Sequence, residues 1–419
     1  MVLQKKVAST GGFFLCLLII GSSNAGHSTK FEAILPIKPF TNEIDFDIIL
    51  LAYEHQICCL RRDIDRICKS VNREYEKEVS TLRYAMLLKP HPNARYRQSV
   101  SQLAKIELQT ILRAWSVQEE PCEQLLGCEP FLFFDAPGMA DGLLRALSRH
   151  SACCLLCEAT GDGLLKPLEK NPSFFMPEEL PQVLKYKGKT NADFTMMLLN
   201  CALAASAFAK SEQPLTVLDP VCGKGTTAFC ALCLGHNAIG LDRDEKALHE
   251  ADTYLARSLK LNRLKHKRSA GSQTLTGGGH VQTVDFVMAQ TAEEQKQGDT
   301  RTLRLISGDA GQLGQMMKPG SCHVIVGDLP YGVQHAPQEG RGVSSPERLL
   351  SRIAGGCAQV LKRGGVAAFS FNAYTLSRAK ASAALEAAGL EVLSQPPFDG
   401  FAHWVEQAVE RDAVLARKP

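Results

Sequence analysis

The residues best suited to chemistry are Ile325-Val326-Gly327-Asp328-Leu329-Pro330-Tyr331-Gly332. An apolar run of strand type ends in a carboxylate and continues into Leu-Pro-Tyr. The amino nitrogen of a nucleic-acid base is conjugated with its ring, so its lone pair is a poor nucleophile. A carboxylate accepting one N–H, and a backbone carbonyl accepting the other, would draw that nitrogen toward tetrahedral geometry and free the pair. Asp328 supplies the first acceptor. The carbonyl of Leu329, ahead of the ring-locked Pro330, supplies the second. Tyr331 offers a face on which an extruded base stacks. A strand end followed by an Asp-initiated turn closed by proline would use the same residues with no chemistry at all.

A second motif lies about a hundred residues upstream: Val217-Leu218-Asp219-Pro220-Val221-Cys222-Gly223-Lys224-Gly225-Thr226-Thr227. Its glycines permit a tight turn and close approach of a ligand to the backbone. A Walker A loop is excluded, because Lys224 lies between the glycines instead of after them. Gly223, Gly225 and Ala228 satisfy the relaxed GxGxx(G/A) spacing, so the glycines alone leave a dinucleotide open. Asp219 discriminates better. An acid at the strand end suits a cationic amino-acid moiety and not a pyrophosphate, which favours S-adenosylmethionine over NAD. Asp242 ends the next apolar run and suits the ribose hydroxyls of either cofactor. Ser307-Gly308-Asp309-Ala310 ends a third run, where a carboxylate can take an adenine amino group. A helix N-cap explains Asp309 nearly as well. Three acids at three successive strand ends would share the carboxyl edge of one sheet, where open α/β sheets bind ligands.

Other reactive residues are weaker candidates. Cys222 stands in a Pro-Val-Cys context, but inside the cofactor loop, where a packing thiol is expected. His335 follows the catalytic motif closely enough to touch substrate or to be a solvated loop residue. Lys260, Arg263, Lys265, His266, Lys267 and Arg268 form a basic cluster that suits phosphates or a solvated helix end equally. Cys154/Cys157 and Cys230/Cys233 have CxxC spacing in apolar stretches with no second pair nearby, so core packing is expected there and no metal.

The elements that must position these residues alternate. Helix 193–209, strand 215–219, helix 225–235, strand 237–242, helix 244–263, strand 303–307, strand 323–328, helix 346–361, strand 365–371 and helix 376–388 imply a mostly parallel sheet with both faces covered. Residues 265–300, rich in Gly, Ser, Thr and charge, read as an inserted hairpin or loop. Upstream, 43–85 has helical spacing of Ile and Leu, 98–116 reads as an amphipathic helix, and 131–134 and 151–159 as strands around a helix at 138–149. Prolines at 172, 177 and 181 mark a linker. The expected organisation is an N-terminal extension of unknown role (1–85), a small α/β region (86–184) and a Rossmann-like domain (185–410).

Length and composition fit a globular protein of two or three domains. Lys and Arg number 47 against 44 Asp and Glu, so any basic surface must be local. The 15 cysteines are odd in number and irregularly spaced, as expected of reduced thiols. Lys5 and Lys6, an apolar run at 13–20 and the small residues after it outline a secretory signal. The run is too short to span a bilayer. A cofactor used inside cells argues for a cytoplasmic protein without stable membrane association.

Asp328-Leu329-Pro330-Tyr331 resembles the (D/N)-P-P-Y motif of amino-methyltransferases. With Gly332-Val333 after it and Asp219-Pro220-x-Cys-Gly-x-Gly-Thr before it, the chain is similar to tRNA guanosine-N2 methyltransferases of the archaeal and eukaryotic type and their bacterial, THUMP-associated relatives. The resemblance covers about 185–410 and implies a class I methyltransferase fold, S-adenosylmethionine as cofactor and an RNA substrate. It places Lys189-Thr190-Asn191-Ala192-Asp193 in a segment closing over the cofactor, so Thr190 and Asn191 join the expected site. It extends weakly over 90–180, as an accompanying ferredoxin-like piece. The departure is Leu329, where the family usually has Pro; the carbonyl is kept. Alternatives are a DNA adenine-N6 or cytosine-N4 methyltransferase, and a non-enzymatic binding module, against which the intact Asp328-x-Pro330-Tyr331 speaks.

Overall fold

The computed structural model describes residues 2–10, 13–24, 27–37, 81–90, 94–170, 173–183, 191–330, 338–339, 342–343 and 345–419. Thr190, Tyr331, His335 and the helical pattern over 43–80 lie outside the described residues. The chain divides into two compact units, Met1–Glu78 and Val79–Pro419. In the first, β1 (Val2–Thr10), β2 (Phe13–Asn24) and β3 (His27–Ile37) form an antiparallel sheet in that order. The apolar run at 13–20 thus lies in the middle strand.

The second unit holds two sheets. The smaller contains β4 (Leu82–Leu88), β5 (Cys122–Leu126), β6 (Glu129–Ala136), β7 (Cys153–Ala159) and β8 (Leu165–Pro167), in the order β5-β6-β4-β7-β8 and all antiparallel. Helix α1 (Ala94–Ala114) follows β4, and α2 (Asp141–Ser148) follows β6. This is the βαββαβ arrangement of a ferredoxin-like fold, with β8 added at one edge. The helical spacing expected up to residue 85 fails here, because 82–88 is a central strand. Tyr84, Met86 and Leu88 face the helices while Ala85 packs on the opposite side with Phe131 and Phe133. A strand apolar on both faces shows no alternation in sequence.

The larger sheet carries β9 (Thr216–Asp219), β10 (Asn237–Asp242), β11 (Lys265–Thr274), β12 (His280–Ala289), β13 (Arg301–Ser307), β14 (Cys322–Asp328), β17 (Leu361–Asn372), β18 (Glu391–Val392), β19 (His403–Glu406) and β20 (Val409–Arg417); β15 (Gln338–Glu339) and β16 (Gly342–Val343) pair separately. The order is β11-β12-β13-β10-β9-β14-β17-β20-β18, with β19 on β20. From β13 to β17 all strands are parallel. Strand order reverses between β9 and β14, the switch point at which such sheets bind ligands. Residues 265–289 form the inserted hairpin, which extends the sheet beyond β13. The C-terminal strand β20 enters antiparallel between β17 and β18. It is a strand that helical or parallel patterning does not announce.

Alternate residues of the central strands feed two cores. Val217, Val324 and Val326 pack under α4 (Ala192–Ala205), α5 (Thr226–Cys233) and α6 (Glu245–Leu261). Leu218, Ile325 and Phe369 pack under α9 (Pro346–Val360) and α10 (Arg378–Ala387); α3 (Leu180–Val183), α7 (Ala292–Gln297) and α8 (Leu313–Met316) are short connectors. The two sheets are joined by a buried carboxylate. Glu107 of α1 accepts from the Ser151 backbone N–H at 2.9 Å and from Asn200 Nδ2 of α4 at 2.7 Å. His150 Nε2 lies 3.6 Å from it, and Asn200 Nδ2 also donates to the Arg149 carbonyl at 3.0 Å. Among the described residues no helix is long and apolar enough to cross a membrane.

Candidate active site

The loop leaving β9 is built around left-handed glycines. Gly223 has φ 50° and Gly225 φ 85°, and Gly225 is the N-cap of α5. A Cβ on Gly225 would stand 3.3 Å from Phe229 and 3.5 Å from Ala251, so the backbone runs close to the core there. The Gly225 N–H donates to the Cys222 carbonyl at 2.8 Å, and the Cys222 N–H to the Leu241 carbonyl at 2.9 Å, tying the loop to β10. The Cys222 side chain points beneath the loop. A Cβ on Gly240 would come within 2.8 Å of its sulfur. Burial holds the Cys222 thiol well above its ordinary pKa, with Asp242 and Asp219 adding to the effect. A buried thiol raised in this way suits packing beneath the loop better than nucleophilic attack.

Asp219 is 4% exposed at the end of β9. Its Oδ1 accepts the Val221 N–H at 3.0 Å, and the Thr227 hydroxyl also bonds the carboxyl. Burial nevertheless pushes its pKa up to about 7, with the charges of Asp242 and Asp328 adding to the effect. Asp219, Asp242 and Asp328 therefore share one electrostatic site. A buried acid raised in this way fits a ligand that brings a positive charge. The donor set thus suits the amino-acid end of S-adenosylmethionine and would be a poor cradle for pyrophosphate.

Asp242 ends β10 and is held from both sides. Its Oδ2 accepts the Gly223 N–H at 2.6 Å and its Oδ1 the Asp244 N–H at 2.9 Å. The Arg243 backbone also bonds this carboxylate, which keeps acceptor capacity for a hydroxyl. Asp309 follows β13 and caps a short 3-10 turn, Ala310–Gln312, by accepting the Gly311 N–H at 2.9 Å. It also meets Arg352 at 3.1 Å and Arg243 at 3.6 Å. The N-cap reading of Asp309 is therefore correct, whatever else its carboxylate accepts. Ala310 is buried beneath it. Asn191 caps α4 by accepting the Asp193 N–H at 2.8 Å. Pro220 is buried and Thr226 opens α5.

Asp328 ends β14 and sits in register with Ser370 of β17. The Ser370 hydroxyl donates to its Oδ1 at 2.6 Å, and the Leu329 N–H donates to the Ser370 carbonyl at 2.9 Å. Leu329 is buried, which fixes its peptide; Pro330 follows, half-buried. A Cβ on Gly327 would lie 3.1 Å from Phe369, so glycine lets β14 close onto its neighbour. Ser370 escaped the sequence because its partner lies 42 residues away, and only the register of two parallel strands joins them.

The basic cluster at 260–268 is separated from these residues. Arg268 binds Asp252 through two contacts of 2.6 and 2.7 Å, and His266 Nδ1 lies 2.9 Å from the Leu264 carbonyl. Lys265 pairs with Ala289, near the start of β13, whereas the end of β13, Ser307, pairs with Gln282. The cluster thus lies at the amino edge of the sheet, opposite Asp219, Asp242 and Asp328. Cys230 and Cys233 are buried in the core of α5, and among the described residues no group of three His, Cys, Asp or Glu could hold a metal.

A doubly wound sheet with an acid-ended glycine loop at its switch point defines a Rossmann-like class I methyltransferase domain. Residues 195–390 match the family model described as "RMKL-like, methyltransferase domain", and the cofactor that goes with this match is S-adenosylmethionine. No curated protein matches the chain. Among solved structures it is similar to TrmN from Thermus thermophilus, at 16% identity over 79% of this chain and 70% of that one, with a TM-score of 0.32. It is also similar to magnesium protoporphyrin IX methyltransferase (ChlM) from Synechocystis, at 14% identity over 56% of this chain and 87% of that one, with a TM-score of 0.32. A TehB-like methyltransferase from Corynebacterium glutamicum is similar at 16% identity over 50% and 84%, with a TM-score of 0.28.

Proposed function

We propose that this domain methylates the exocyclic amino group of an RNA base, and that the base is guanine in tRNA, modified at N2. The observation carrying this is Asp328. It is a carboxylate at the end of the strand next to the cofactor loop, oriented by the Ser370 hydroxyl and followed by a buried Leu329 peptide. S-adenosylmethionine supplies an electrophilic methyl group on a sulfonium. Asp219 holds the cationic amino-acid end, Asp242 the ribose, and Asp309 with Ala310 flanks the adenine; Thr190, Asn191, Pro220, Cys222, Gly223, Gly225 and Thr226 shape the cradle. Asp328 and the Leu329 carbonyl accept the two amino protons, so the lone pair turns toward the methyl donor. Pro330 fixes that carbonyl, and Tyr331 provides the stacking face. The resemblance of the two motifs to those of tRNA guanosine-N2 methyltransferases supports this substrate.

The test is nucleoside mass spectrometry of tRNA from a strain lacking this protein, paired with transfer of a labelled methyl group to tRNA and to duplex DNA. Loss of N2-methylguanosine and labelling of tRNA alone are expected. Unchanged tRNA, or labelling of DNA instead, would sink the proposal.

A further inference from the structure

The carboxyl edge bears an arginine-lined cavity that the catalytic residues do not use. Helix α9 leads into β17, which runs parallel to β14, so its first turns lie at the same edge as Asp328. Ser345, Arg348, Ser351 and Arg352 recur on one face of these turns at spacings of three and four. With Glu347 they line a cavity of about 660 Å³. Glu347 is taken by Lys380 at 2.7 Å, which leaves the arginines to set the sign of the cavity. Arg352 is steered by Asp309 at 3.1 Å. Arg348 is exposed and makes no ion pair among the described residues. Two arginines one turn apart, with Ser351 between them in sequence, match the oxygens of a phosphodiester.

We infer that this cavity holds a backbone phosphate of the nucleic-acid substrate, next to the nucleotide whose base enters at Asp328. The inference rests on the reading of an RNA substrate. A base can be extruded into the site only if its flanking backbone is held, and phosphate contacts fix that register. The chain's obvious basic cluster cannot do this, since Lys265 and Lys267 lie at the opposite edge of the sheet.

The experiment measures binding of a pool of unmodified tRNA transcripts to the full chain over a range of salt. Arg348→Glu is expected to weaken binding about tenfold near physiological salt and to lower the slope of log affinity against log salt by about one. Arg348→Lys should keep the slope, and Lys267→Glu should stay within about twofold of the parent. Binding of S-adenosylhomocysteine, which reports the fold and the cofactor site, should be the same in all three variants. If the parent binds tRNA but Arg348→Glu binds it equally well, or Lys267→Glu loses as much, the cavity is not the phosphate site. If the parent binds no RNA, the RNA substrate itself is wrong, and this inference falls with it.

Discussion

Ser370 holds Asp328 and the Leu329 peptide at once: its hydroxyl donates to Asp328 Oδ1 at 2.6 Å and its carbonyl receives the Leu329 N–H at 2.9 Å. One residue of β17 thereby sets both the carboxylate and the peptide that follows it. Ser370→Ala should lower kcat about tenfold or more by loosening Asp328, while leaving KM and the affinity for S-adenosylhomocysteine near parental values. Ser370→Thr should recover most of the loss. Steady-state kinetics of the two variants check this; equal losses in kcat and cofactor binding would point to general damage instead.

Asp219 gives a pH signature. Burial raises its pKa to about 7 in the folded chain, from an ordinary value of 3.8. The folded state therefore binds more protons than the unfolded one, and this group's contribution to stability is greatest at low pH and falls as pH rises from about 4 to 7. The ammonium group at the ligand's amino-acid end favours the carboxylate, so S-adenosylhomocysteine affinity should weaken by up to about tenfold per pH unit below 7, with proton release on binding. Asp219→Asn should abolish that dependence, weaken binding at least about tenfold, and raise the melting temperature of the ligand-free protein at pH 8 by about 3 °C or more. Calorimetry in buffers of differing ionisation enthalpy and thermal melts test both halves.

Cys222 and Gly240 fit as a pair, since a Cβ on Gly240 would meet the sulfur at 2.8 Å. Gly240→Ala should cost about 1–3 kcal/mol and weaken cofactor binding by shifting the loop. Adding Cys222→Ala should recover part of both, because the sulfur no longer occupies the space. Cys222→Ala alone should keep most methyl transfer. Its inactivation would reopen a role in chemistry for the thiol. A double-mutant cycle by denaturant melts and a transfer assay decides between these outcomes.

Glu107 joins the ferredoxin-like sheet to the methyltransferase domain through Ser151, Asn200 and His150. Glu107→Ala would strand several buried donors and should cost about 3–5 kcal/mol. Glu107→Gln, which keeps one acceptor, should cost less. Differential scanning calorimetry should also broaden or split the unfolding of residues 79–419 in the alanine variant. A single unshifted transition would mean that the joint carries little of the coupling.

The strand ends and the glycine turn, which are local geometry, were legible. Asp219, Asp242 and Asp328 end strands whose residues are apolar on both faces, and the glycine turn is written in consecutive residues. The parallel core from β9 to β17 followed from that same patterning. What depended on register or chain-distant packing was not visible. Ser370 meets Asp328 only through strand pairing, and the side of the sheet on which 260–268 falls depends on the direction of the inserted hairpin. Residues 82–85 read as the end of a helical stretch because a central strand buried on both faces loses its alternation. β20 was missed for a similar reason: Ala413, Val414, Leu415 and Ala416 are all buried, and nothing nearby sets their period.

That late strand has a bearing on synthesis. β20 fills the gap between β17 and β18, so a ribosome-bound chain lacks an interior member of its sheet until Arg417 has emerged. Until then β17, apolar on both sides, presents a bare hydrogen-bonding edge to its surroundings. Closure of the sheet thus waits for β20, and Asp328 lies one strand further in from that seam.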